Sequence, residues 1–329
     1  MISFRPLASL IQTKNFKNSS SSTSFDRALN FTQIKVISNP YFLLFYFRTL
    51  NGHENWVESL AILHNGDLAS GSRDTTIKIW NSTDGTLKQT LNSHIYYVYS
   101  LVVLHNGNLL SGSNDDTIKI WNSETYQVER TLTNHTNWVV CLTFFPNTDF
   151  ASGSYDNTII IWSSNGDYKR TLRGHVDWFR SLVVLPSGKL ASGSDDKTIK
   201  IWSADGNLEK TLTGHSSEVN SLAILDNGYL ASGSSDRTTK IWNENGELMY
   251  TDQYDYSVYS LAVLPNGDLL IGFSNGEIRI KDKNKLDSQE VKSVLSGHSS
   301  SVNSFAVFSN GDFTSASDDK TIVLWSLNK

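Results

Sequence analysis

Histidine is the side chain most ready to exchange a proton near neutral pH, and it also ligates metals. The chain has 329 residues and eight histidines, six of which recur at a near-constant interval: His53, His94, His135, His175, His215 and His298. Twenty-one residues after each stands an aspartate: Asp74, Asp115, Asp156, Asp196, Asp236 and Asp319. Twenty-seven residues after each stands a tryptophan: Trp80, Trp121, Trp162, Trp202, Trp242 and Trp325. Imidazole with carboxylate is the raw material of a metal centre or of acid–base catalysis. Either chemistry needs several such groups to converge on one point. The first intervals are 41, 41, 40 and 40 residues, so each unit supplies one His and one Asp. That pattern spreads the groups instead of gathering them, so no metal, no cofactor and no catalytic set is expected. The single cysteine, Cys141, has no paired histidine and sits where other copies carry Ser59, Ser100 and Ser181; it reads as a buried thiol. No glycine-rich phosphate loop or zinc-ligand cluster occurs.

The elements that must carry these residues are short strands. In the clearest copy, TLRGHVDWFRSLVVLPSGKLASGSDDKTIKIW from Thr171 to Trp202, three apolar runs (VVL, KLAS and TIKIW) are rich in β-branched residues. Pro186, Ser187 and Gly188, then Asp195, Asp196 and Lys197, separate them, which is a strand-and-hairpin signature. No part of the unit requires a helix. Seven copies align, and a period near 40 residues marks a repeat architecture. In the sixth copy Tyr254, Asn275 and Lys281 take the His, Asp and Trp positions, while SLAVLPNGDLLIGFSNGEIRI keeps the strand and Asn-Gly turn pattern.

Gly-His, then an Asp in a tight turn, then an apolar strand ending in Trp-Asn or Trp-Ser: over roughly residues 43 to 329 this resembles the WD40 repeat family, although the usual Asp after the Trp is missing throughout. The resemblance implies an all-β fold, a seven-bladed β-propeller of four-stranded antiparallel blades. It also implies a buried hydrogen-bond relay of turn Asp, loop His, strand Ser and strand Trp. The serines, four residues before each Asp, are Ser70, Ser111, Ser152, Ser192, Ser232 and Ser315, with Ile271 in the sixth copy. Buried polar groups must be paired, and the indole N–H can only donate, so such a relay would satisfy all four members. His and Asp are then structural, and the protein is expected not to be an enzyme.

In the family, the Thr-Leu segment before each Gly-His is the outer strand of the preceding blade. The chain ends four residues after Trp325, so the last copy lacks an outer strand of its own. YFLLFYFRTL, residues 41–50, ends in the same Thr-Leu, and its 43–50 part is expected to join the C-terminal blade and close the ring. Its apolar core is too short to cross a bilayer. Residues 1–40 are Ser- and Asn-rich with no acidic residue before Asp26. They are faintly like a mitochondrial presequence but read as a disordered tail. The expected domains are thus a tail over 1–40 and a propeller over 43–329. The sixth copy reads as a real blade without a relay, held by its neighbours. The charged connector KDKNKLDSQEVK, 281–292, reads as a solvated loop.

Net charge is −5, so no basic excess argues for nucleic acid. One cysteine excludes an internal disulfide framework and agrees with a reducing compartment; the expectation is a monomeric cytoplasmic or nuclear propeller with no membrane partner. Function should lie where the copies differ, at three places that resemble the family's interaction positions on the narrow top face. Three residues after each His stand Trp56, Tyr97, Trp138 and Trp178, then Glu218, Ser257 and Ser301. Five after stand Glu58, Tyr99, Val140 and Arg180, then Asn220, Tyr259 and Asn303. Just before the turn Asp stand Arg73, Asn114, Tyr155 and Asp195, then Ser235, Ser274 and Asp318. Of nine tryptophans, six hold the relay position and the other three all fall in the first series. Trp, Tyr and Arg dominate binding hot spots. The expected site is Trp56, Glu58, Arg73, Tyr97, Tyr99, Trp138, Tyr155, Trp178, Arg180 and Asp195, on a non-catalytic scaffold that binds a peptide or protein segment. In the competing reading these aromatics only pack between blades. Two other functions compete: an adaptor in ubiquitin handling, since LAVLPNGDL loosely resembles phospholipase A2-activating-type propellers, and an enzyme, for which no converging set is present.

Overall fold

The computed structural model describes residues 45–327, with side chains over 48–326. The tail and presequence-like readings of residues 1–40 lie outside the described residues. Within them, β-branched runs punctuated by turns fold as 28 strands in seven four-stranded antiparallel sheets. Blades one to six span residues 57–91, 98–132, 139–173, 179–212, 219–253 and 258–296. The seventh combines three C-terminal strands, from Val302 to Leu327, with Phe45–Leu50 as its outer strand. That strand pairs antiparallel with Ile322–Leu327 in unbroken register, from Phe45 opposite Leu327 to Leu50 opposite Ile322. The innermost strand of blade seven packs on that of blade one, so the ring is closed. The added strand covers the Ile322–Leu327 edge of blade seven, which another chain could otherwise pair with.

Blades one to six are meanders, and in all seven the second strand from the centre is wholly buried between neighbouring blades. Such packing leaves little room. A Cβ on Gly71 would stand 2.7 Å from Val98 Cγ1 of the next blade, and the same approach recurs at Gly112 against Val139 and Gly193 against Val219. Glycine at this place is therefore a packing requirement. A serine on the innermost strand adds a bond between blades: Ser59 Oγ accepts from Leu101 N at 2.9 Å, and Ser100, Ser181 and Ser221 do the same for Leu142, Leu222 and Leu261. Cys141 stands in this slot in blade three, and burial pushes its thiol up to about 12, so it is an inert filler.

Blade six forms in full, with a different interior. Lys281 is 1 % exposed. It forms an ion pair with Asp252 of blade five's outer strand and donates to the carbonyls of Ser288, at 2.7 Å, and Leu286, at 3.3 Å. Tyr254 donates its hydroxyl to Asp252 at 3.2 Å, and Gln289 donates to the other carboxylate oxygen at 3.2 Å. The sequence expectation of a solvated loop over 281–292 holds for most of the segment, where residues 283–285, 287, 289, 290 and 292 are exposed; Lys281 is the exception. The connector turns through one short 3-10 segment, Lys283–Lys285, and its backbone is held by a buried ammonium.

Candidate functional site

Two constellations occupy the end of the ring where the His loops and Asp turns lie, here called the top face. The first is the relay. In each of six blades the His Nδ1 lies 2.6–2.9 Å from the Asp carboxylate: His53–Asp74, His94–Asp115, His135–Asp156, His175–Asp196, His215–Asp236 and His298–Asp319. The Nε2 lies 2.6–2.8 Å from Ser70, Ser111, Ser152, Ser192, Ser232 and Ser315 Oγ respectively. The same hydroxyls accept from Trp80, Trp121, Trp162, Trp202, Trp242 and Trp325 at 2.8–2.9 Å. The serine proton must go elsewhere. Lys78 O, Lys200 O and Lys240 O are 3.3–3.5 Å from Ser70, Ser192 and Ser232, longer than the 2.6–2.8 Å contacts to Nε2. A serine that donates to Nε2 while an Nδ1–H faces the carboxylate is the arrangement that satisfies all four groups.

Ser, His and Asp in this order have the connectivity of a nucleophile–base–acid triad. Burial denies them that use, because all six serines are fully buried and already accept an indole N–H. The carboxylates are strongly held. Burial pushes each one up, but the His hydrogen bond, the Thr hydroxyl two residues on and the backbone N–H after the His outweigh it. Asp115 and Asp156 lie at about 2, and Asp74, Asp196, Asp236 and Asp319 are also well below the ordinary range.

The second constellation is the variable set. In all seven blades the N–H of the residue before the turn Asp donates to the carbonyl of the residue three after the His, as in Arg73 to Trp56 at 2.9 Å and Tyr155 to Trp138 at 3.0 Å. That bond places the two series side by side. On blades one to four their side chains then form one stack. The Arg73 guanidinium lies 4.0 Å from the Trp56 ring centre and 5.7 and 5.5 Å from Tyr97 and Tyr99. Tyr99 stacks on Trp138 at 5.9 Å, Trp138 on Tyr155 at 5.2 Å, and Tyr155 on Trp178 at 4.4 Å. Arg180 sits 5.9 Å from Tyr155 and grips Asp195 with two bonds of 2.6 and 2.8 Å. The middle of the stack is half-buried, and its ends are open: Trp56 is 37 % and Trp178 45 % exposed. Glu58 lies against Arg73 in an ion pair. Burial raises its carboxyl despite that partner, and burial also lifts the Tyr99 phenol to about 12.

Sequence reasoning missed residues one and two after the His. Ile95 and Val176 are 72 % and 82 % exposed, with Tyr96 beside the first. The signal was present, since Glu54, Thr136, Ser216, Asp255 and Ser299 hold the Ile95 position elsewhere. Among the described residues no group of three or more His, Cys, Asp or Glu could hold a metal ion.

Seven radial sheets, six of them with an Asp–His–Ser–Trp relay, define a repeat-built β-propeller. The family model for the WD40 domain (WD domain, G-beta repeat) matches residues 46–81, 85–122, 126–163, 166–203, 206–243 and 289–326. The chain belongs to the WD40 family. The unmatched stretch holds most of blade six, the blade whose four relay residues are replaced. Comparison with curated proteins returned no match. WD40 propellers are typically protein-interaction scaffolds and generally non-catalytic.

Proposed function

We propose that this propeller is a non-catalytic scaffold that binds a protein or peptide segment across the aromatic stack of blades one to four. The supporting observation is the stack's continuity together with its exposed ends. Blades five to seven close the same ring with Glu218, Ser257 and Ser301 at the corresponding positions. Ring closure therefore does not require aromatics there, which favours a binding role over blade packing. Large rigid rings bearing guanidinium groups are the usual anchors of interfaces, and truncating one typically costs about 2 kcal/mol or more of binding.

The test compares affinity capture by the intact protein with capture by a Trp56→Ala/Trp138→Ala/Trp178→Ala variant. The variant is expected to stay folded by thermal melt and to lose its main partners. Identical partner lists would sink the proposal. Ubiquitin offered as bait in the same comparison tests the adaptor reading.

A further inference from the structure

The charges around the stack set the sign of what it binds. Glu58, Asp195, Glu218 and Asp318 share one electrostatic cluster with only two cations, Arg73 and Arg180. Both cations are engaged, Arg73 by Glu58 and Arg180 by both oxygens of Asp195. The other two carboxylates take their hydrogen bonds from neutral groups: Asp318 from Asn303 at 2.7 Å and Glu218 from the Ser217 hydroxyl. They lie on blades seven and five, the arc that lacks the aromatic stack.

The relay deepens the same field. Each of its six aspartates has its carboxyl held well below the ordinary range and lies in a turn of this face, with only 5–10 % of the side chain exposed. Fields from partly buried charges reach a ligand with little screening. Lys197, Arg237 and Lys320 in the turns and Arg173 before His175 are matched in number by Asp116 in a turn and Glu54, Asp177 and Asp255 in the loops. The balance of the face is acidic, with an apolar arc on one side and a carboxylate arc on the other.

We propose that, given the scaffold reading above, the top face takes a cationic peptide segment. An aromatic or aliphatic side chain of the segment lies on the Trp56–Trp178 stack, and a Lys or Arg of the segment reaches Asp318, beside Arg73, or Glu218, beside Arg180.

A random dodecapeptide display library, selected on the intact protein, is the probe. Peptides pairing Lys or Arg with a large apolar residue should be enriched. On an Asp318→Asn/Glu218→Gln variant, checked for an unchanged unfolding midpoint, the cation preference should fall about ten-fold while the apolar preference stays. On Trp56→Ala/Trp178→Ala both should vanish. A cationic pool indifferent to Asp318→Asn/Glu218→Gln overturns the assignment to those carboxylates. An acidic or uncharged pool that still vanishes on the tryptophan variant overturns the sign and leaves the scaffold reading standing. A pool indifferent to the tryptophan variant, or none above background, overturns both.

Discussion

Asp196 shows what a single relay residue does. It accepts from His175, from Val176 N and from both Thr198 N and Oγ1. Burial raises its carboxyl, those donors lower it, and the donors prevail. A depressed folded value means stability that is fully present above the ordinary value of 3.8 and lost as pH falls through the folded one; for Asp115 and Asp156 that window runs from 3.8 down to about 2. Burial also holds the His94 imidazole below 6.5, so its neutral form stabilises the fold above that pH and less below it. The urea midpoint should therefore slip slightly below pH 6.5 and fall steeply under pH 4; a midpoint level from pH 7 to 3 would refute this. Backbone conformation supplies a second case. Thr148 sits at φ 74°, where the matching turns of the other blades carry Gly66, Gly107, Gly188, Gly228, Gly267 and Gly311. A β-branched residue is strained there. Thr148→Gly should stabilise the protein by about 0.5–1 kcal/mol, read from denaturant unfolding.

At the scale of the element, blade six shows how a repeat survives the loss of its signature. Its buried Lys281–Asp252 pair joins three elements: the outer strand of blade five, the third strand of blade six and the connector after it. Removing one member strands the other as a buried charge. Lys281→Met should cost about 3–5 kcal/mol, and adding Asp252→Asn should restore most of that. Equal losses in the single and double variants would contradict the pairing. The contrast with the relay explains what was legible in the sequence. His–Asp and His–Trp offsets repeat, so six copies reveal them by counting. Lys281, Asp252 and Gln289 occur together once, and nothing in their spacing announces that three segments meet. The stack lies between these cases. The arc was readable from Trp56, Trp138 and Trp178, whereas the Tyr155–Trp178 contact depends on how blades three and four face each other. Ile95 and Val176 stand at the loop tip, where neither strand alternation nor a relay offset marks a position, and only their contrast with the polar residues of the other copies signals them.

For the whole molecule, closure is the decisive feature. The closing strand was readable because its Thr-Leu ending matches the outer strands of blades one to four, and the structure places it at Phe45–Leu50. A chain starting at residue 51 should lose that pairing, unfold at lower urea and aggregate through the bared edge of Ile322–Leu327; unchanged unfolding would remove the strand from the account. A closed ring then holds its variable residues at fixed places on one face, acidic overall and aromatic along one arc. The most direct check of recognition at that face is hydrogen–deuterium exchange of the intact protein with and without its main captured partner. Slower exchange should appear in the loops at 53–56, 94–97, 135–138 and 175–178 and in the turns at 73–76 and 155–158. Protection confined to the opposite-face turns at 63–67 and 104–108, or to the outer strands, would contradict it.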